Sequence, residues 1–297
     1  MLNRFDAEHQ CPRKESSLGL KNGTLYGILT VPLAALCVCG YILWHWGNAE
    51  VYGVVLLLDA SIAFGAFLRL RNDSKSWYRR STPIPRENPL YPRTDALATK
   101  MGVPHHDLYV ADATLMVKRK AVGAVNTGIR RHSIMFSEYF LRALNQEEQD
   151  AVIAHELAHT KQSHALTSAV TSLSYYFAGW NLFFFSAIPN LQTSNLPESW
   201  VSSIAGAGIF LFFGGIIIVR PFLAMKSQTE ADEIAVNVLG SGDSLISGMK
   251  KLVESPEIKA DQKKYRMAYL SLYARMVRIQ NLSRSLAARN LAQKNTA

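Results

Sequence analysis

The stretch "AVIAHELAHTKQSH", residues 151–164, sets two histidines four residues apart with a glutamate beside the first. On an α-helix each residue turns by about 100°, so His155 and His159 differ by only about 40° and both imidazoles face one way. Neutral imidazole nitrogens suit zinc, which prefers tetrahedral sites. Glu156 is turned about 100° from His155 and reaches a metal-bound water. Zinc lowers the pKa of that water towards about 7. A carboxylate in this place takes the proton as hydroxide attacks a polarised carbonyl, then delivers it to the leaving amine. The helix start is written just upstream in "LNQEEQDAVIAHELAHT". Asn145 can cap it, with Glu148 three residues on as capping-box partner. The acidic residues of the first turn suit the helix dipole.

Two histidines leave zinc short of a protein ligand. His164 lies nine residues after His155, about 180° round the helix. A third histidine two turns further on would need glycine at 162 and histidine at 165, where the chain has Gln162 and Ala165. His105, His106 and His132 have no supporting spacing and read as surface or strand histidines.

Working outward, four apolar segments approach the roughly 20 residues that a helix needs to cross a bilayer. They are "LYGILTVPLAALCVCGYILW" at 25–44, "VYGVVLLLDASIAFGAFLRL" at 51–70, "SAVTSLSYYFAGWNLFFFSAI" at 168–188 and "VSSIAGAGIFLFFGGIIIVR" at 201–220. The first is too long for a signal peptide and is followed at once by another apolar run, so a helical hairpin fits better. The connectors "HWGNAE" and "PNLQTSNLPE" hold no Lys or Arg, while residues 69–161 and the chain after Arg220 are rich in both. The positive-inside rule then predicts both termini and the 71–165 region in the cytoplasm. Trp44, Trp46 and Trp200 fall near the opposite ends of the spans, as interface anchors do. Asp59 inside the second span is expected to hydrogen-bond another helix.

The net charge of +9 therefore points to a membrane surface rather than nucleic acid, since no aromatic-interleaved basic motif is present. Cys11, Cys37 and Cys39 form neither a disulfide framework nor a metal knuckle. Residues 71–100, rich in proline and charge, read as a surface linker. Residues 105–138 read as a small sheet of two or three strands, and from Ser137 the pattern turns helical. The basic C-terminal part reads as an amphipathic helix with Tyr265, Leu270, Leu272, Met276 and Ile279 as packing residues.

These residues carry a resemblance. "EEQDAVIAHELAHTKQSHAL" resembles the HtpX-type and prenyl-protease-type family of membrane zinc metallopeptidases, HExxH gluzincins. "GAVNTGIRRHSIMFSEYFLRAL" is similar to the family's Asn-Ala-Phe-Ala-x-Gly segment, with Gly123 where Asn is usual. "SQTEADEIAVNVLG" is similar to its second active-site helix, whose pattern is Glu-x-x-Ala-Asp. The resemblance covers roughly 85–255, and the family's His-Pro segment is absent beyond it. It implies that the Glu of that pattern binds zinc and that the Asp, four residues later, supports a zinc-bound histidine. Asp232 holds the support place. Four residues back stands Gln228, and the nearest glutamate is Glu230. Either Gln228 completes the site as a neutral, weak ligand in the family's register, or Glu230 does, pointing about 200° away from Asp232 on the helix.

The expected molecule is mainly α, an α+β catalytic domain with a small sheet and about four transmembrane helices. Its parts are a tail and hairpin at 1–70, the catalytic part with the HExxH helix at 71–165, a second hairpin at 166–220, and the second active-site helix with the C-terminal region at 221–297. The expected function is that of a one-zinc endopeptidase of a bacterial inner membrane, acting on misfolded membrane proteins in quality control. The strand around "RRHSIMFS" is expected to pair with extended substrate. The alternative is an inactive pseudoprotease that binds membrane clients, motivated by Gln228.

Overall fold

The computed structural model describes residues 32–33, 35–37, 39–40, 57, 59–65, 77–112, 114–116, 123–127, 132–186, 198–254 and 262–294. The chain divides into two units. One comprises Met1–Asp59 with Thr171–Gly215, the other Ala60–Val170 with Ile216–Ala297.

The second unit holds the sheet. Its strands are β1 (Ser81–Pro83), β2 (Asp107–Ala111), β3 (Ala124–Thr127) and β4 (Ser133–Phe136), in the order β1-β2-β4-β3. β1 and β2 are antiparallel, β2 and β4 parallel, β3 and β4 antiparallel. Two expectations are corrected here. The 71–100 region is not merely linker: it contributes β1 and the helix α1 (Leu90–Met101). Proline and charge disguise both. Pro83 ends a strand at the sheet's edge, where its missing N–H costs no ladder bond. In α1, Leu90, Tyr91, Thr94, Ala98 and Met101 are buried at helical spacing between charged neighbours. The strand of "RRHSIMFS" is no edge either. β4 lies between β2 and β3 with all four residues buried, so both its ladder edges are taken, and β3 is the outer strand.

Helices follow in chain order: α2 (Glu138–Ala143), α3 (Gln146–Lys161), α4 (His164–Ser186), α5 (Glu198–Gly214), a π-helical turn (Gly215–Val219), α6 (Arg220–Leu239), α7 (Asp243–Val253) and α8 (Gln262–Lys294). α3 is the centre of the unit, packed by α1, α6, α7 and β3. Being covered on several sides, it buries Ala151, Val152, Ile153, Ala154, Leu157 and Ala158. The predicted capping box is present, with Asn145 accepting from the Glu148 N–H and Glu148 accepting from the Asn145 N–H. Ile279 of α8 is 1% exposed, and Leu272 and Met276 pack on the same core. The side chains of Tyr265 and Leu270 lie outside the described residues.

In the first unit, α4 and α5 meet through glycine. A Cβ on Gly179 would lie 2.6 Å from the Phe212 nitrogen, and one on Gly208 2.5 Å from the Phe183 nitrogen. Asn181 Nδ2 donates to Asp59 Oδ1 at 3.0 Å, the expected interhelical bond. From Val201 to Leu239 the chain is one helix of 39 residues, the one among the described residues long and apolar enough to cross a membrane by length and composition. It exposes Ile209, Phe210, Phe213, Ile217 and Ile218. The span expected at 168–188 is helical over His164–Ser186. Those at 25–44 and 51–70 fall largely outside the described residues, which are helical at 32–33, 35–37, 39–40, 57 and 59–65.

Candidate metal centre

α3 supplies His155, Glu156 and His159; α6 lies against it and supplies Ser227, Gln228 and Asp232. His155 Nε2 and His159 Nε2 are 3.2 Å apart. The Gln228 amide spans them, with Oε1 3.1 Å from His155 Nε2 and Nε2 3.3 Å from His159 Nε2. Four residues along α6, one turn, Asp232 Oδ1 stands 2.9 Å from His155 Nδ1. A carboxylate there favours the proton on Nδ1, and Nε2 faces Gln228 Oε1 and His159 Nε2. Two imidazole nitrogens and an amide oxygen brought this close form a donor set that suits a cation.

The distances fit one. A tetrahedral zinc with bonds of about 2.0–2.1 Å has donor atoms about 3.3 Å apart. The structure therefore brings Gln228, and not Glu230, against the two imidazoles. Glu230 is half-buried on α6, two residues and about 200° further round. Among the described residues no three His, Cys, Asp or Glu side chains gather as a metal set, so Glu230 does not join His155 and His159. The side chain that lies against both imidazoles here is the Gln228 amide.

Asp232 is 2% exposed. Burial raises its carboxyl pKa, but Arg275 and His155 outweigh that and hold it down at about 2. Arg275 of α8 makes a two-pronged bond to it, Nε to Oδ2 at 2.8 Å and Nη2 to Oδ1 at 2.6 Å. Arg275 Nη2 also comes within 3.4 Å of His155 Nε2. Sequence reasoning missed Arg275, because it sits in a run of basic residues with no spacing to single it out. Its place is visible only once α8 is packed along α6.

Glu156 is buried. Burial pushes its carboxyl above the usual range, while His155 and the Asn126 N–H pull the other way. The Asn126 N–H donates to Glu156 Oε2 at 2.7 Å, from the outer edge of β3. Gly123, where the resembling segment carries Asn, has a φ of +82°, and a Cβ there would meet Leu252 Cδ1 at 2.5 Å. The left-handed turn and the Leu252 side chain both favour glycine at that place. His106 is no surface histidine: it is 1% exposed and 2.9 Å from Thr160 Oγ1. His105 is exposed and pairs with Asp95. His132 lies near His106, with ring centroids 5.3 Å apart.

The sequence pattern of peptidase family M48 matches residues 86–285. A protein named Protease HtpX homolog from Prosthecochloris aestuarii is 27% identical over 230 residues, covering 69% of this chain and 74% of its own. Another of that name from Pyrococcus furiosus is 24% identical over 249 residues, 80% of each chain. The crystal structure of S. mikatae Ste24p superposes with a TM-score of 0.51 at 15% identity, over 89% of this chain and 66% of that one, and so shares the fold.

Proposed function

The chain belongs to peptidase family M48, and from that premise we propose that it is a zinc-dependent endopeptidase held in a membrane. The observation that carries this reading is the approach of Gln228 Oε1 and His159 Nε2 to within 3.1 and 3.2 Å of His155 Nε2, with Glu156 next in the chain. When bound, zinc supplies an activated water and polarises the substrate carbonyl.

His155, His159 and Gln228 would hold the ion. Asp232 fixes the ring of His155 through Nδ1, and Arg275 fixes Asp232. Glu156 takes a proton as the peptide carbonyl is attacked and returns it to the leaving nitrogen. Its raised pKa suits both halves of that exchange. Substrate in an extended form pairs with β3, the strand that faces Glu156, in place of β4.

The exposed apolar side chains of the Val201–Leu239 helix support insertion in a bilayer. The charge pattern supports four spans with the catalytic unit and both termini in the cytoplasm, in a bacterial inner membrane. Misfolded membrane proteins are the proposed substrates, and their removal the proposed role. Gln228 favours one second reading, an inactive relative that binds such clients without cutting them. An amide is a weaker zinc ligand than a carboxylate.

The test is cleavage of an unfolded model protein by the detergent-purified chain with zinc added. Chelator-sensitive cleavage, absent from Glu156→Gln, is the expected result. No cleavage by the natural chain, with activity gained by Gln228→Glu, would establish the second reading instead.

A further inference from the structure

Three polar side chains stand beside the metal centre without a role in holding the ion: His106 before β2, Thr160 in the last turn of α3, and Asn126 on β3. Resting on the peptidase reading, we propose that His106, Thr160 and Asn126 form a hydrogen-bonded positioning chain that sets the Glu156 carboxylate for proton transfer.

Each link has one allowed direction. His106 Nδ1 is 2.8 Å from the Pro104 carbonyl, which can only accept, so Nδ1 carries the proton. Burial pushes His106 down to about 4, so the ring is neutral and Nε2 is an acceptor. The Thr160 hydroxyl, 2.9 Å away, must then donate to Nε2. Its lone pair is left to accept from Asn126 Nδ2 at 2.6 Å. The second hydrogen of that amide goes to the Glu156 carbonyl at 2.8 Å. Both amide hydrogens are spent, so the Asn126 side chain has a single orientation, clamped across the α3 turn that carries Glu156.

The backbone of the same residue does the positioning. Asn126 pairs with Ile134 in the β3–β4 ladder, but its N–H points outward and donates to Glu156 Oε2 at 2.7 Å. One carboxylate oxygen is thereby fixed, and Oε1 is the one that takes the proton. β3 is an outer strand whose ladder partner among the described residues is β4, and the side-chain clamp on α3 adds to the backbone bond that ties it to Glu156. Asn126 falls where the resembling Asn-Ala-Phe-Ala-x-Gly segment has its second alanine. The clamp is therefore this chain's own, beside its loss of the segment's first Asn at Gly123.

The experiment uses the full chain in detergent with zinc, and two readouts. Thr160→Val keeps the shape of threonine and removes the hydroxyl; Thr160→Ser restores it. Asn126→Asp keeps the shape of the amide and replaces both donated hydrogens. Thr160→Val and Asn126→Asp are expected to lower kcat for unfolded-protein cleavage roughly tenfold, the effect of a slightly misplaced catalytic group, with KM and bound zinc unchanged. Thr160→Ser is expected to recover most of the loss. Hydrogen exchange of the peptide containing Asn126 should quicken in the first two variants and not in the third. Natural kcat in Thr160→Val and Asn126→Asp would overturn the proposal, and so would unchanged exchange in both. A natural chain that cleaves nothing would sink the peptidase reading alone, and the exchange measurement would then decide the positioning chain by itself.

Discussion

At the scale of single residues, the most telling side chain is one that no motif announces. Among the described residues, Arg275 is the basic partner of Asp232; Asp232 is buried, Arg275 is largely covered, and both lie against the His155 ring. Removing one partner of a buried ion pair leaves the other charge stranded, at a cost of about 3–5 kcal/mol. Arg275→Met is expected to lose stability of that order in denaturant unfolding, and to release zinc to a weaker chelator than the natural chain does. Glu148 makes a different case. Burial raises its carboxyl pKa, but the Lys251 ammonium, the Ser247 hydroxyl and the Asn145 N–H outweigh that and hold it below the usual value. A carboxyl whose pKa is lower in the folded state stabilises the fold above its unfolded pKa, and that stability is lost as pH falls through the folded value. Glu148→Gln should therefore cost about 1.5–3 kcal/mol near neutrality, and much less at a pH near or below 4. Unfolding curves for both chains across that range would check the sign. The Glu148 capping role could be read from its spacing to Asn145. Its bonds to α7 could not, because Ser247 and Lys251 are about a hundred positions away.

At the scale of elements, the pairing of α4 with α5 depends on two glycines that a composition count passes over. The positions where Gly179 and Gly208 would carry a Cβ are occupied by the opposing backbone. Backbone cannot swing aside as a side chain can, and small residues of this kind let helices approach closely where no water drives them together. Gly179→Leu is expected to destabilise the first unit by at least about 1–3 kcal/mol, the ordinary cost of overpacking. Ala at Gly206, where a Cβ meets nothing within 4 Å, should be close to neutral. Thermal unfolding of the two variants in one detergent separates them. Among the elements, α3 and α6 were legible because a cap, a metal spacing or a family pattern marks them. β1 and α1 were not, since a three-residue edge strand ending in proline gives almost no period-two signal.

At the scale of the whole molecule, the metal centre joins segments far apart in the chain: α3, α6 and, through Asp232, α8. A ligand that binds only the folded state stabilises it by mass action, so zinc should act as a tertiary clasp. Chelation is expected to lower the thermal midpoint, and zinc to restore it. The shift should be smaller in the natural chain than in Gln228→Glu, whose added carboxylate charge strengthens the third ligand. Equal shifts in the two chains would mean that Gln228 does not touch the ion.

The sequence by itself determined the local features: the capped helix, the common face of His155 and His159, the reach of Glu156, the apolar length at 201–220 and the one-turn spacing of Gln228 and Asp232. All of these follow from the 3.6-residue period and from chemistry within a few positions. It left Gln228 and Glu230 open, because a helix seen alone has no inside. Only the tertiary structure shows which side of α6 lies against α3: Gln228 and Asp232 stand beside the imidazoles. It also decided which strand lies at the edge, what Arg275 holds, and how His106, Thr160 and Asn126 meet. Each of those contacts closes a loop of tens of residues or more, and no local period encodes where such a loop will end.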